Sequence, residues 1–235
     1  MAHRLKVHRY RSRSGRRSNH LSAGVRRLQQ IGVDIVARVP KVLGPRTVEE
    51  ERCFEAANEL PAILDLWMAN SPELVEAHSE VRKYLATRLP MPHSFRELAN
   101  VVIAVEMGSS ALLHRHGRTA VHQSEARQEA IDAVRVQRYD RLTEEERVYA
   151  QFVREVVLGS VADESVDALR ERIGDRGVVE YTFLITTNIA WVRFAQALGI
   201  ESDDREGLLD EYFQAIEARQ PLFGTRVQKS SPEQY

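Results

Sequence analysis

Apolar residues in this chain recur every three or four positions, the period of a helix with one buried face. Thr47-Val-Glu-Glu50 has capping-box spacing and predicts a helix through Leu60, interrupted by Pro61. Ile63, Leu64, Leu66, Trp67 and Met68 predict a short apolar helix after it. Ser71-Pro72-Glu73 reads as a helix start with proline in the first turn. That helix places Leu74, Val75, His78, Val81, Leu85 and Leu89 on one stripe and stops at Pro90. Ser94-Phe-Arg-Glu97 is a second box, ahead of a helix with Leu98, Val101, Val102, Val105 and Met107 that reads as buried. Gly108 breaks the run, and Ser109 or Ser110 is placed to cap the next helix, which carries His114 and His116 and ends between Gly117 and Val121. Ser124 to about Val136 reads as a surface helix. Thr143-Glu-Glu-Glu146 is a third box, with Val148, Phe152, Val153, Val156 and Val157 on the inner face behind it. Asp163 is placed to cap a helix reaching Ile173, which Gly174-Asp-Arg-Gly177 terminates. Val178 to Leu198 is a long apolar helix stopped by Gly199, and Leu208 to Ala218 a last amphipathic piece. No hairpin dipeptide stands between alternating runs, so the expected class is all-α, compact over residues 47–218.

Composition narrows the setting. The chain has 235 residues, enough for one large domain. No apolar run approaches the length of a bilayer span, and no signal-peptide core follows the first charges. A single cysteine, Cys53, excludes an internal disulfide, and the expected compartment is the cytoplasm. A formal net charge of −1 hides a strongly basic start, Arg4 to Arg27, with no acidic residue in the first thirty. Pro40, Gly44 and Pro45 make 31–46 read as a linker, so 1–46 is expected to be a flexible basic arm and linker, and 219–235 a polar C-terminal arm. A basic arm grips phosphates by counterion release. Only Tyr10 interleaves with these charges and no nucleic-acid module follows, so nucleic-acid association is the lesser alternative.

The densest chemistry lies between Arg96 and Gly117. Ser109, Leu112 and His116 stand at i, i+3 and i+7 and share one helical face. Glu97 on one helix and His116 on the next form an acid/base pair suited to passing protons. His93 is a second acid/base candidate at the mouth of the same region. Ser109 and His116 lie two turns apart, about 10 Å along the axis, too far for a Ser–His dyad. His114 points to nearly the opposite side of the helix, and His-x-His is not the i, i+4 spacing of a helical two-histidine metal site, so no metal is expected. Cys53 stands alone, without a resolving partner, and reads as a small buried hydrophobe.

In order and spacing these residues resemble the carboxymuconolactone decarboxylases and the related alkylhydroperoxidase D-like proteins. The likeness runs from Ser71-Pro-Glu-Leu74 through Leu89-Pro90, Arg96-Glu97-Leu98 and Gly108 to Ser109-x-x-Leu112-x-x-x-His116, and continues into the helix after Thr143 and the long helix with Asn188 and Arg193. It implies an alkylhydroperoxidase D-like helical fold assembled as a homo-oligomer, a trimer or hexamer, with a dimer as the smaller alternative. It implies that Glu97 and His116 occupy the positions of the family's proton relay. It also implies that Ser109 and Leu112 stand where the peroxidase branch has the two cysteines of Cys-x-x-Cys, and Leu112 where the decarboxylase-like branch often has a glutamate.

A serine and a leucine carry no electrons, so dithiol peroxidase chemistry is not expected. The expectation is a non-redox enzyme of lyase or isomerase type, without cofactor, working on a small organic acid, lactone or enol-like metabolite. Glu97 and His116 would be its catalytic pair, and Ser109, Leu112, His93, Asn188 and Trp191 would line its pocket. Burial is expected to raise the Glu97 pKa toward neutrality. The alternative from another class is a catalytically silent scaffold or small-molecule-binding protein, in which Glu97 is only the N3 member of the Ser94 capping box.

Overall fold

The computed structural model describes residues 37–200 except 43, 60, 61 and 63; the basic arm up to residue 36, the Pro61 interruption, the 208–218 helix and the tail at 219–235 lie outside the described residues. All regular structure among the described residues is helical. The α-helices are α1 (Val48–Glu59), α2 (Asp65–Met68), α3 (Pro72–Thr87), α4 (His93–Met107), α5 (Ser110–His122), α6 (Gln128–Arg135), α7 (Glu144–Leu158) and α8 (Asp163–Leu198), with a single 3-10 turn at Tyr139–Arg141. None is long and apolar enough to cross a membrane.

Helix α4 is the axis of the molecule, packed against α5, α6, α7 and α8. Every residue from Glu97 to Ala104 is buried, as its unbroken apolar run predicts. Each fully buried Val, Leu or Ile contributes about 1.5–3 kcal/mol of transfer free energy, so Leu98, Val101, Val102 and Ile103 hold α4 firmly in place. Around them lie Ile131, Val134, Tyr149, Phe152, Val153, Leu169, Tyr181, Leu184 and Ile185. A second core joins α1, α2 and the start of α3 to the end of α8 through Phe54, Leu66, Trp67, Met68, Val75 and Ala195. The segment ahead of α1 is docked on this second core. The Arg38 amide donates to Leu198 O at 2.8 Å, its guanidinium donates to Ala197 O, and the Val42 amide donates to Leu66 O at 2.7 Å. Arg38 thereby satisfies two carbonyls that the end of α8 leaves open.

Helix ends follow the predicted punctuation at several points. Gly108 and Gly199 adopt φ of 66° and close α4 and α8 in the left-handed conformation that glycine takes without a Cβ clash. Ser109 accepts from the Leu112 amide and caps α5, and Thr143 and Glu146 form a complete reciprocal box. Thr47 makes half a box: its hydroxyl accepts from the Glu50 amide, while the Glu50 carboxylate takes the Arg46 backbone and guanidinium instead.

Other boundaries differ. The Ser94 box does not form. Pro92 takes the N-cap position, α4 begins at His93, and the N3 position falls on Phe95, which has no carboxylate. Pro92 also lacks the backbone N–H a box would need. Asp163 is the first residue of α8 rather than its cap, which is Ala162. The expected stop at Gly174 is present: this residue leaves helical geometry (φ 67°, ψ 174°), so Asp163–Leu198 is two helical stretches joined directly across a kink. Just beyond that break, a Cβ on Gly177 would sit 2.6 Å from Ile173 Cβ, so only glycine lets the second half resume there. Helix α6 is shorter than expected and buries Ala130, Ile131, Ala133 and Val134, so it is not a surface helix. Leu74 lies off the buried stripe of α3 and is 44% exposed.

Candidate functional site

Release from capping leaves Glu97 available for other partners. It sits one turn into α4, and α5 runs alongside, delivering His116 from its second turn. His116 Nδ1 lies 2.6 Å from Glu97 Oε2. The other carboxylate oxygen, Oε1, meets His93 Nε2 at 3.2 Å, across one turn of α4. Asn100, one turn further on, places Nδ2 3.5 Å from Glu97 Oε1 and 3.1 Å from His116 Nδ1. One carboxylate therefore joins two imidazoles, each on its own oxygen, and an amide closes the group.

The members differ in access to water. The Glu97 side chain is 8% exposed, that of His116 13%, and that of His93 41%. Burial pushes the Glu97 carboxyl up, as expected from sequence, but this is outweighed. The charge and hydrogen bond of His116, then the hydrogen bond and charge of His93, hold it well below the usual carboxylate range. The expectation of a Glu97 poised near neutrality is thereby corrected: imidazoles at both oxygens favour its ionised form more than burial disfavours it. An ionised carboxylate only accepts, so His116 donates from Nδ1.

The remaining predicted residues are placed as follows. Ser109 is buried, and its hydroxyl accepts from the Leu112 amide at 3.3 Å, as a helix cap does. Leu112 is half-buried on α5 and packs on the main core. Asn188 is buried on α8 and donates to Leu184 O of its own helix at 2.9 Å. Trp191 makes an edge contact with His78, with ring centroids 4.9 Å apart. The structure thus brings Glu97, His116 and His93 together, while the hydrogen bond from Asn188 and the ring contact of Trp191 go elsewhere. Cys53 is buried in α1 with Sγ 3.7 Å from Glu76 Oε2, and burial followed by the Glu76 charge pushes its thiol up, away from the thiolate.

Trp191 belongs to a second carboxylate–histidine cluster that sequence reading did not detect. Asp65 is fully buried. It meets His78 Nδ1 through Oδ1 at 2.8 Å, and accepts from Arg82 and from the Ala62 amide through Oδ2, at 2.8 and 2.9 Å. His78 Nε2 is buried without a hydrogen-bond partner. His78 and Arg82 stand at i, i+4 within an apolar stripe, and that spacing is the signal that marks a polar cluster inside a core. Asn100 was detectable in the same way, as the one neutral polar residue in the buried run of α4, three residues after Glu97. Among the described residues no group of three or more His, Cys, Asp or Glu side chains is arranged to hold a metal ion.

Compared with known protein families, curated proteins and solved structures, the chain matches none.

Proposed function

We propose that this protein is a non-redox acid–base enzyme, a member of the carboxymuconolactone decarboxylase and alkylhydroperoxidase D-like group that has lost its thiols. It acts as a lyase or isomerase on a small organic acid, lactone or enol-like metabolite. The observation that carries this reading is the 2.6 Å contact between Glu97 Oε2 and His116 Nδ1, made by two residues on different helices, both largely shielded from water. Its support is that no capping duty explains Glu97, since the Ser94 box is not formed.

In this reading Glu97 fixes the ring and tautomer of His116, so that Nε2 faces the substrate as a base. His116 removes a proton next to a carbonyl or enol and returns it at another carbon. The ionised Glu97 stabilises the imidazolium between the two steps. Ser109 and Leu112 leave the neighbouring positions without any redox-active group. The chain acts as a homo-oligomer in which the half-buried apolar residues of α5, Leu112 and Leu113, gain cover from a neighbour.

The test is turnover of a panel of small unsaturated lactones, β-keto acids and enol acids by wild type, Glu97→Gln and His116→Gln. The expected result is activity in wild type that falls by on the order of a hundredfold or more in each variant. Activity equal to wild type in Glu97→Gln overturns the reading. Absence of turnover across the panel, with binding of a panel member retained, favours the silent binding protein instead. Peroxide reduction with a dithiol donor is expected to be nil.

A further inference from the structure

A base that is covered by its own substrate needs another way to exchange protons with water. Taking Glu97 and His116 as the acid–base pair, we propose that His93 is the proton exit of the site, carrying protons between the buried pair and bulk solvent through Glu97. Three observations combine here. His93 and His116 occupy different oxygens of one carboxylate, at 3.2 and 2.6 Å, so they are in series. His93 is the exposed end of that series, at 41% against 13% for His116 and 8% for Glu97. The basic neighbour that might have neutralised Glu97 permanently is turned away: Arg96 donates to Leu85 O and Ala86 O at the end of α3, at 2.9 Å each. With imidazoles at both oxygens, the carboxylate rests ionised and can still pass a proton in transit from one ring to the other.

The proton count closes. His116 takes a substrate proton on Nε2 and gives the proton on Nδ1 to Glu97 Oε2. The Glu97 carboxyl torsion is soft and two-fold, so a half-turn carries that proton to the His93 side. His93 accepts it on Nε2 and releases another from Nδ1 to water. The path then runs in reverse as His116 Nε2 delivers its proton to the product carbon, and a proton returning through His93 and Glu97 to Nδ1 restores the starting tautomer. Neutral His93 interconverts its tautomers through water, so Nε2 donates to an ionised Glu97 and accepts from a protonated one. His93 is a positioning and relay residue, since it touches Glu97 and not the substrate.

The experiment needs no substrate. In full-length protein labelled with 15N-histidine, the exchange of the His116 Nδ1 proton with water is measured by NMR in wild type, His93→Gln and Glu97→Gln. The expected result is exchange slowed on the order of a hundredfold in His93→Gln, the low end of what a positioned acid or base contributes. Added free imidazole should restore it in that variant and leave wild type unchanged. Wild-type exchange in His93→Gln, with altered exchange in Glu97→Gln, overturns the exit and leaves the pair standing. Wild-type exchange in both variants overturns the pair as well. Should His93→Gln fold poorly, the imidazole dependence of wild type alone decides: acceleration of wild-type exchange by free imidazole overturns the exit.

Discussion

Two buried carboxylates in this molecule each hold a histidine through Nδ1, and their surroundings set them to different work. Asp65 is sealed: it has no exposure, and it is neutralised by Arg82, whose guanidinium keeps its charge at any ordinary pH. Glu97 is close to water through His93, and the partners on its two oxygens are imidazoles, whose ring nitrogens can each donate or accept a proton. The carboxylate paired with a guanidinium fastens α2 to α3. The carboxylate between imidazoles rests ionised, with a proton donor or acceptor at each oxygen. The partner of the carboxylate, more than its burial, separates a structural pair from a chemical one.

The most damaging way to test this contrast is Asp65→Asn. It leaves the Arg82 charge buried without its counter-ion, which costs about 3–5 kcal/mol. Urea denaturation should show the loss directly, and a cost under about 1 kcal/mol would place Asp65 outside the sealed class. Glu97→Gln keeps the shape and removes the charge, so it should cost less, about 1–3 kcal/mol, while lowering the proposed turnover on the order of a hundredfold or more. A protein equally destabilised by both changes would erase the distinction.

Acid offers a third test. Because the Glu97 pKa is held below its ordinary 4.5, its contribution to stability is complete above that value and is lost as pH falls through the lower folded value. Stability measured from pH 6 downward should fall less steeply in Glu97→Gln than in wild type. An identical slope would mean that the imidazoles do not favour the ionised carboxyl. The smallest effect belongs to His93→Gln. A pair this exposed contributes about 0–1 kcal/mol, so thermal denaturation should barely change while proton exchange at His116 slows.

Much of the helical layout was legible, because its signals are local. Gly108 and Gly199 stop helices where only a left-handed residue fits, and Thr143 and Glu146 satisfy each other within one turn. Glu97 and His116 were legible from spacing on two adjoining helices. The sealed cluster was not, because Asp65, His78 and Arg82 meet across a turn between two helices, and in sequence His78 passes for part of an apolar stripe. The Ser94 box misled for the opposite reason. Its pattern is local and correct, but Pro92 starts the helix earlier and shifts the register.

The two bonds from Arg96 to the last carbonyls of α3 carry a mechanical consequence. They lock the first turn of α4 to a helix rooted in the sealed cluster, so the Glu97 wall of the site is stiff. The opposite side, α5, buries only Gly117 and Ala120 among its described residues. Under the proposed function, any adjustment to ligand size is therefore expected on the α5 side, where His116 stands, and not at Glu97.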